Sequence, residues 1–330
     1  MNDERDFRAL AEQHRREIHV HCYRMLGAFH DAEDLVQDTF LRAWQNRASY
    51  DVATGASGFR AWLYRIATNA CLDALKSKRR RVTTVSSFAE VPWLEPYPDR
   101  LLDEIAGPET PDDVVVKRET IALGYLAMIQ LLPARQRAML ILHDVLGWSA
   151  AETASLLETS VTATNSGLQR ARATMQRSGA TEGVRTDAPE PTERERTLLA
   201  AFIDAHERTD LAASVALMRE DIRVTMPPHP FQYDGVAQIG PLVAQAASMG
   251  EWRLVGAWAN RQPAAVSYLR RPGDSELRAF KVDVLRVRDG LIAEITTFMP
   301  TLVERFGLPL IWNASATAPL ASRTKQETSR

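Results

Sequence analysis

Two stretches of this chain read as neither helix nor strand, and they fix how many folded units it can make. Val82 to Asp113 carries eight acids against Arg100 alone and contains VPWLEPYPDR and GPETPDD, whose prolines interrupt either kind of backbone ladder. Ser178 to Thr192, SGATEGVRTDAPEPT, is a second polar joint containing glycine and proline. One core cannot run through both. The 330 residues are therefore expected to divide into a helical unit (1–81), an acidic linker (82–117), a second helical unit (118–178), a linker (179–193) and a last domain (194–313). The tail 314–330, small and polar, is expected to be disordered.

The formal net charge of −2 argues at first against nucleic acid as a partner. Its distribution argues the other way. Phe59 to Arg81 holds seven basic residues against Asp73 alone, and Val161 to Arg177 holds three arginines and no acid. The acidic connector offsets most of this. Between Thr197 and Asn313 twelve basic and thirteen acidic residues nearly cancel, so the last domain has no electrostatic reason to touch DNA. Two cysteines without Cys-x-x-Cys spacing exclude a disulfide-stapled scaffold, and no apolar run reaches the roughly 18 residues of a membrane span. The expectation is a soluble, cytoplasmic protein without a targeting segment.

In His30 to Trp44, Leu35, Val36, Thr39, Phe40 and Ala43 share one side of a helical wheel and should face a core. The other side holds Asp34, Gln37, Asp38, Gln45 and one large apolar residue, Leu41. The next helix, Phe59 to about Lys78, turns Phe59, Trp62, Leu63, Ile66, Ala67, Ala70 and Ala74 inward. It leaves Arg65, Thr68, Asn69, Leu72, Lys76 and Arg79 on the far face, beside Tyr64. Basic groups at successive turns, with amides and hydroxyls between them, suit a phosphate backbone and unstacked bases. Of His14, His19, His21, His30 and Cys22, the pair His19 and His21 is two apart and points to different sides of a helix, unlike i, i+4 ligands, so the group reads as packed side chains and no metal or cofactor is expected.

Leu132-Pro133-Ala134-Arg135-Gln136-Arg137 opens a helix that continues through Leu142. Ser149 and Glu152 form a capping box for a short helix to Leu157, and a tight turn leads to another helix capped by Ser160. This is a helix-turn-helix, whose second helix enters the major groove by its N-terminal end. Val161, Thr164, Leu168, Ala171 and Met175 should point inward; Thr162, Ala163, Ser166, Gln169, Arg170 and Arg177 outward. Gly167, in mid-helix, should cost about 1 kcal/mol against Ala unless something approaches it closely.

DAEDLVQDTFLRAW (31–44), FRAWLYRIATNACLD (59–73), LPARQR (132–137) and the helix-turn-helix ending LQRAR (168–172), in this order, closely resemble the extracytoplasmic-function sigma factors of bacterial RNA polymerase. The resemblance covers residues 3 to about 177. It implies two all-α sigma domains, region 2 and region 4. It makes Asp34, Gln37, Asp38 and Leu41 the surface that grips the clamp helices of the polymerase core. It makes the loop Tyr50 to Gly58 with Arg65, Asn69, Lys76, Arg79 and Arg80 the reader of the melted minus-ten element. Thr162, Ala163, Ser166, Gln169 and Arg170 become the reader of minus-thirty-five promoter DNA, and the acidic linker would thread the polymerase's nucleic-acid channel. Thr164 and Gly167 depart from the family pattern, so base preferences do not transfer.

The last domain reads as α+β. Thr197 to His206 and Asp210 to Met218 are expected helices. Trp252 to Asn260, Ala264 to Leu269, Leu277 to Arg288 and Leu291 to Phe298 are expected strands, with Arg288-Asp289-Gly290 as a turn. With Phe231-Gln-Tyr-Asp-Gly235 before a helix, it resembles the SnoaL-like, nuclear-transport-factor-like cone with a curved antiparallel sheet. That resemblance implies regulation by an anti-sigma factor or a small-molecule ligand. Asp283, His229 and His206 are the candidates if the domain does chemistry, Asp283 standing where it could equally face solvent; no catalytic role is expected. Trp252, Trp258, Tyr268 and Phe298 read as core or pocket lining. Two other classes compete: a ligand-sensing helix-turn-helix transcription factor, and a SnoaL-like isomerase or hydratase fused to helices.

Overall fold

The computed structural model describes residues 4–50, 55–77, 91–103, 121–177 and 191–312. The chain divides into two compact units, the first made by the N-terminal 190 residues and the second by most of the C-terminal remainder.

The first unit is helical. Its bundle comprises α1 (Glu4–Gln13), α2 (Arg15–Leu26), α3 (Phe29–Gln45) and α4 (Gly55–Ser77). Helix α2 is the axis: every residue from Ile18 to Leu26 is buried, polar ones included. It stops at Gly27, whose left-handed backbone (φ 74°) lets its N–H reach Tyr23 O. His21, fully buried, is hydrogen bonded to Thr68 Oγ1 at 2.9 Å and lies against Tyr64. Burial, reinforced by the neighbouring Arg24 cation and opposed by Glu17, pushes the His21 imidazole down to about 3. The unfolded chain takes up a proton near pH 6.5 that the folded chain refuses. Stability is therefore present above that pH and is lost as pH falls towards 3, by about 1.4 kcal/mol per unit. The urea midpoint should drop between pH 6.5 and 4.5, and His21→Gln should flatten that dependence; an unchanged slope would refute the assignment. Cys22 and Cys71 are both buried, and burial first, then Cys22, raises the Cys71 thiol well above its ordinary range.

Within the expected linker, residues 91–103 fold onto this bundle and end in a short helix, α5 (Asp99–Asp103). Val91, Leu94 and Tyr97 are buried. Glu95 N–H donates to Gly27 O at 2.9 Å, and Glu95 O accepts from Tyr23 Oη at 2.6 Å. The Glu95 carboxylate accepts from the His30 N–H at 2.9 Å, in the first turn of α3, where backbone donors have no helical partner. His19 shares a hydrogen bond with Tyr97 Oη at 3.0 Å.

The second half of this unit runs α6 (Leu123–Ile129), α7 (Ala134–Leu140), α8 (Ala150–Leu156) and α9 (Val161–Arg177). Helix α7 is shorter than expected, because a π-helical turn takes over at Ile141–Val145.

The second unit is α+β: α10 (Glu193–Glu207), α11 (Leu211–Ala216), β1 (Met218–Met226), β2 (His229–Asp234), α12 (Val236–Ser248), β3 (Glu251–Ala259), β4 (Gln262–Arg270), β5 (Leu277–Arg288), β6 (Leu291–Phe298) and β7 (Ile311–Trp312). The open sheet has the order β2-β1-β6-β5-β4-β3, with β7 added to β5. Strands β3 to β6 form an antiparallel meander, and register shifts at Ser267/Tyr268 and Arg286/Val287 bend it. Helix α10 lies across one face, where Leu199 and Ile203 rest on Gly256. Strands β1 and β2 are additions to the sequence-based expectation. Arg219, Glu220, Asp221 and Arg223 hide the spaced apolar positions Met218, Ile222 and Val224 of β1.

Candidate polymerase and promoter surfaces

Helix α3 separates its faces as its wheel requires. Val36, Thr39 and Ala43 are buried, whereas Asp34, Gln37 and Leu41 are exposed and Asp38 is half-buried. Leu41 is 55% exposed and is one of the few large apolar side chains in the described residues to stand so far into solvent. Asp38 is held at 2.9 Å by Arg42, one turn on. The four residues thus form a continuous outward patch on a rigid helix.

On α4, Arg65, Asn69 and Lys76 are exposed as expected, and Arg79 and Arg80 lie outside the described residues, as do 51–54 of the preceding loop. One expectation fails here. Thr68 belongs to the core as the partner of His21, and Tyr64 beside it is 1% exposed, packed between His21 and Trp148. Tyr50 packs edge-on against Phe59 and with a tilted ring against Trp62. Arg65 forms a 2.6 Å ion pair with Glu158, in the turn before α9. Both partners are exposed, so this pair is worth at most about 1 kcal/mol.

The helix-turn-helix is built from local signals. Ser149 and Glu152 complete the capping box of α8, Glu158 takes a left-handed φ of 50° in the turn, and Ser160 Oγ accepts the Ala163 N–H at 3.1 Å. On α9 Thr164, Leu168, Ala171 and Met175 are buried; Thr162, Ala163, Gln169 and Arg170 are exposed and Ser166 is half-buried. Val161, expected inside, is 44% exposed at the helix's first turn. Gly167 is explained by packing: a Cβ there would overlap Met139 Sδ of α7. Arg172 is committed to Asp144 through two hydrogen bonds. Among the described residues Arg170 has no such carboxylate, which leaves its guanidinium for an outside partner.

The two halves of this unit meet at a buried cation. Arg137, 2% exposed, donates to Met25 O at the end of α2, to Gln130 Oε1 and Gln130 O at 2.6 and 3.0 Å, and to Leu132 O at 3.1 Å.

In the second unit, Asp283 does not face solvent. It is fully buried, 2.8 Å from Lys281 Nζ, and its Oδ1 accepts from Thr297 Oγ1 at 2.6 Å. His229 is exposed and stacked on Phe231, away from any such cluster.

An outward acidic patch with one apolar residue, a basic face on the adjoining helix and an acid-free recognition helix define a helical transcription protein carrying a separate α+β domain. Family models agree in the same order: Sigma-70 region 2 matches residues 10–81, Sigma-70 region 4 matches 123–175, and the SnoaL-like domain matches 199–295. The chain is 42% identical to the ECF RNA polymerase sigma factor SigG of Mycobacterium tuberculosis over 93% of its own length and 85% of that protein's. It is 30% identical to SigW of Bacillus subtilis over 52% of its length and 87% of that protein's. It therefore belongs to the ECF RNA polymerase sigma factors. The crystal structure of the ECF sigma factor SigJ of Mycobacterium tuberculosis shares the fold, with a TM-score of 0.59 at 21% identity over 93% of this chain and all of that one. Among the described residues no helix is long and apolar enough to cross a membrane.

Proposed function

We propose that this chain is a promoter-specificity subunit that binds core RNA polymerase through Asp34, Gln37, Asp38 and Leu41 of α3. It reads the minus-ten element with Arg65, Asn69 and Lys76 of α4, together with Arg79 and Arg80. It reads the minus-thirty-five element with Thr162, Ala163, Ser166, Gln169 and Arg170 of α9. The SnoaL-like domain regulates it, through a small ligand or an anti-sigma protein, and the chain has no chemistry of its own in initiation. The observation that supports this best is α9, whose exposed face carries small polar groups, Arg170 and no acid. Transcription from a cognate promoter with purified core enzyme tests it: both the full chain and a truncation near residue 180 should initiate, and their ratio gives the sign of regulation. Binding of duplex promoter DNA without core enzyme, and no initiation with it, would favour the ligand-sensing transcription factor instead. Arg170→Ala should weaken promoter recognition by about 1–3 kcal/mol, the worth of a bidentate contact to a base. A footprint unchanged by the substitution would remove Arg170 from the reading surface.

A further inference from the structure

Of the three arginines on α9, Arg172 alone is answered by a carboxylate among the described residues. It donates through Nε to Asp144 Oδ2 at 2.9 Å and through Nη2 to Asp144 Oδ1 at 2.5 Å, a two-pronged contact that engages both carboxylate oxygens. Arg177 turns back on its own helix, to Ala173 O and Thr174 Oγ1. The acid cannot come from α9, which has none between Val161 and Arg177. It comes from the π-helical turn Ile141–Val145, where the ladder of α7 becomes irregular and the Leu146 N–H reaches back five residues to Ile141 O. His143 Nδ1 lies 2.8 Å from the same carboxylate. Burial works to raise the Asp144 carboxyl, but hydrogen bonds from Arg172 and then His143 bring it below its ordinary range, so it is charged near pH 7.

Arg172 stands on the flank of α9. It follows the buried Ala171 and, at about 100° per residue, lies about 160° round the helix from Arg170. A helix about 10–12 Å across, in a major groove about 12 Å wide, meets base edges with its leading face and the phosphate walls with its flanks. The Arg172 side chain is 49% exposed, so a guanidinium set loose there has a phosphate wall to turn to. Phosphate contacts carry no sequence information, and discrimination is the difference between the cognate site and all others. At a cognate site base contacts fix where α9 sits. On other sequences the helix settles wherever its cations find phosphate, so a loose cation favours the wrong sequences more than the right one.

We infer that Asp144 is a specificity-determining residue for promoter recognition: it occupies the Arg172 guanidinium and so withholds it from the DNA phosphates. This role rests on α9 being the minus-thirty-five reader proposed above. Holoenzyme made from purified core and the full chain is titrated onto a labelled cognate promoter duplex, and onto the same duplex with its minus-thirty-five element scrambled, by fluorescence anisotropy over a series of salt concentrations. Asp144→Asn should bind the scrambled duplex about threefold more tightly and the cognate duplex less than about twofold more tightly, with a salt slope on the scrambled duplex steeper by about 0.9, the worth of one added phosphate contact. The double variant Asp144→Asn/Arg172→Gln, a neutral pair in place of a charged one, should return both affinities and the slope to the parent's. A pair that only holds the fold together predicts the reverse: Asp144→Asn binds both duplexes more weakly and the double variant stays weak. That result, an unchanged slope, equal tightening on both duplexes, or a double variant whose slope falls below the parent's would each overturn the role. If Asp144→Asn alone does not fold, the slope of the double variant decides: equal to the parent's it upholds the role, and lower by about 0.9 it shows that Arg172 already contacts phosphate. Arg170→Ala separates the two readings. Lost cognate preference there, with Asp144→Asn indistinguishable from the parent, removes the role of Asp144 and keeps α9 as the reader; undiminished preference in both removes the two together.

Discussion

Leu41→Asp is expected to abolish association with core RNA polymerase, by at least a hundredfold or roughly 3 kcal/mol, while leaving the fold as it is. The asymmetry arises from where the side chain stands. Leu41 is 55% exposed, on the face of α3 opposite Val36, Thr39 and Ala43, so a carboxylate there meets water in the free protein. In the proposed complex with core enzyme the same position is the apolar centre of a patch rimmed by Asp34, Gln37 and Asp38. An unpaired charge at such a centre costs several kcal/mol, and a third carboxylate beside two others adds repulsion. Leu41→Met keeps volume and polarity and should bind as the parent does. Native gel shift or calorimetry with core enzyme reads the loss, and unchanged circular dichroism with an unchanged thermal midpoint shows that folding is not the cause. Retained association of Leu41→Asp would move the polymerase contact off α3.

The largest effect on stability is expected at Arg137. Arg137→Ala removes a guanidinium that is 2% exposed and that bonds Met25 O, Gln130 Oε1, Gln130 O and Leu132 O. The loss leaves carbonyls of both helical halves without donors and opens a cavity between α2 and α7. A buried carbonyl left without its donor costs about 1–3 kcal/mol, so losing several together is expected to cost about 3–5 kcal/mol. Acceptor geometry makes the site specific for arginine: a planar fork reaches several carbonyls at once, whereas an ammonium on a lysine stem reaches fewer, so Arg137→Lys should recover only part of the loss. Urea denaturation of the full chain measures both. A change below about 1 kcal/mol for Arg137→Ala would mean that the two halves do not depend on this contact.

What could be read from residues alone was local. The capping box of α8, the Ser160 cap and the wheel of α3 depend on neighbours within one turn, and the structure places them as expected except that Leu35 and Phe40 of α3 are only half-buried. Four strands of the second unit announced themselves by alternation and by the Asp289-Gly290 turn. Failures came where distant contacts decide. Thr68 looked like a surface hydroxyl because its partner, His21, is 47 residues away. Gly167 has no local signal at all, since its reason is Met139 on another helix. In residues 91–103 the prolines and acids outnumber the apolar Val91, Leu94 and Tyr97, whose burial depends on the distant α2 and α3. Asp283 was legible as a residue type but not by face; its partner Thr297 emerges only once β5 and β6 are in register.

The docking of residues 91–103 also makes the connector a ruler. With that segment fixed on the first bundle, 17 residues (104–120) join α5 to the second half, and an extended chain of that length reaches at most about 60 Å. Were the segment to peel away, the 43 residues 78–120 would reach about 150 Å. Glu95, by holding Gly27, Tyr23 and His30 together, thus sets the farthest separation that the connector allows between the two helical halves.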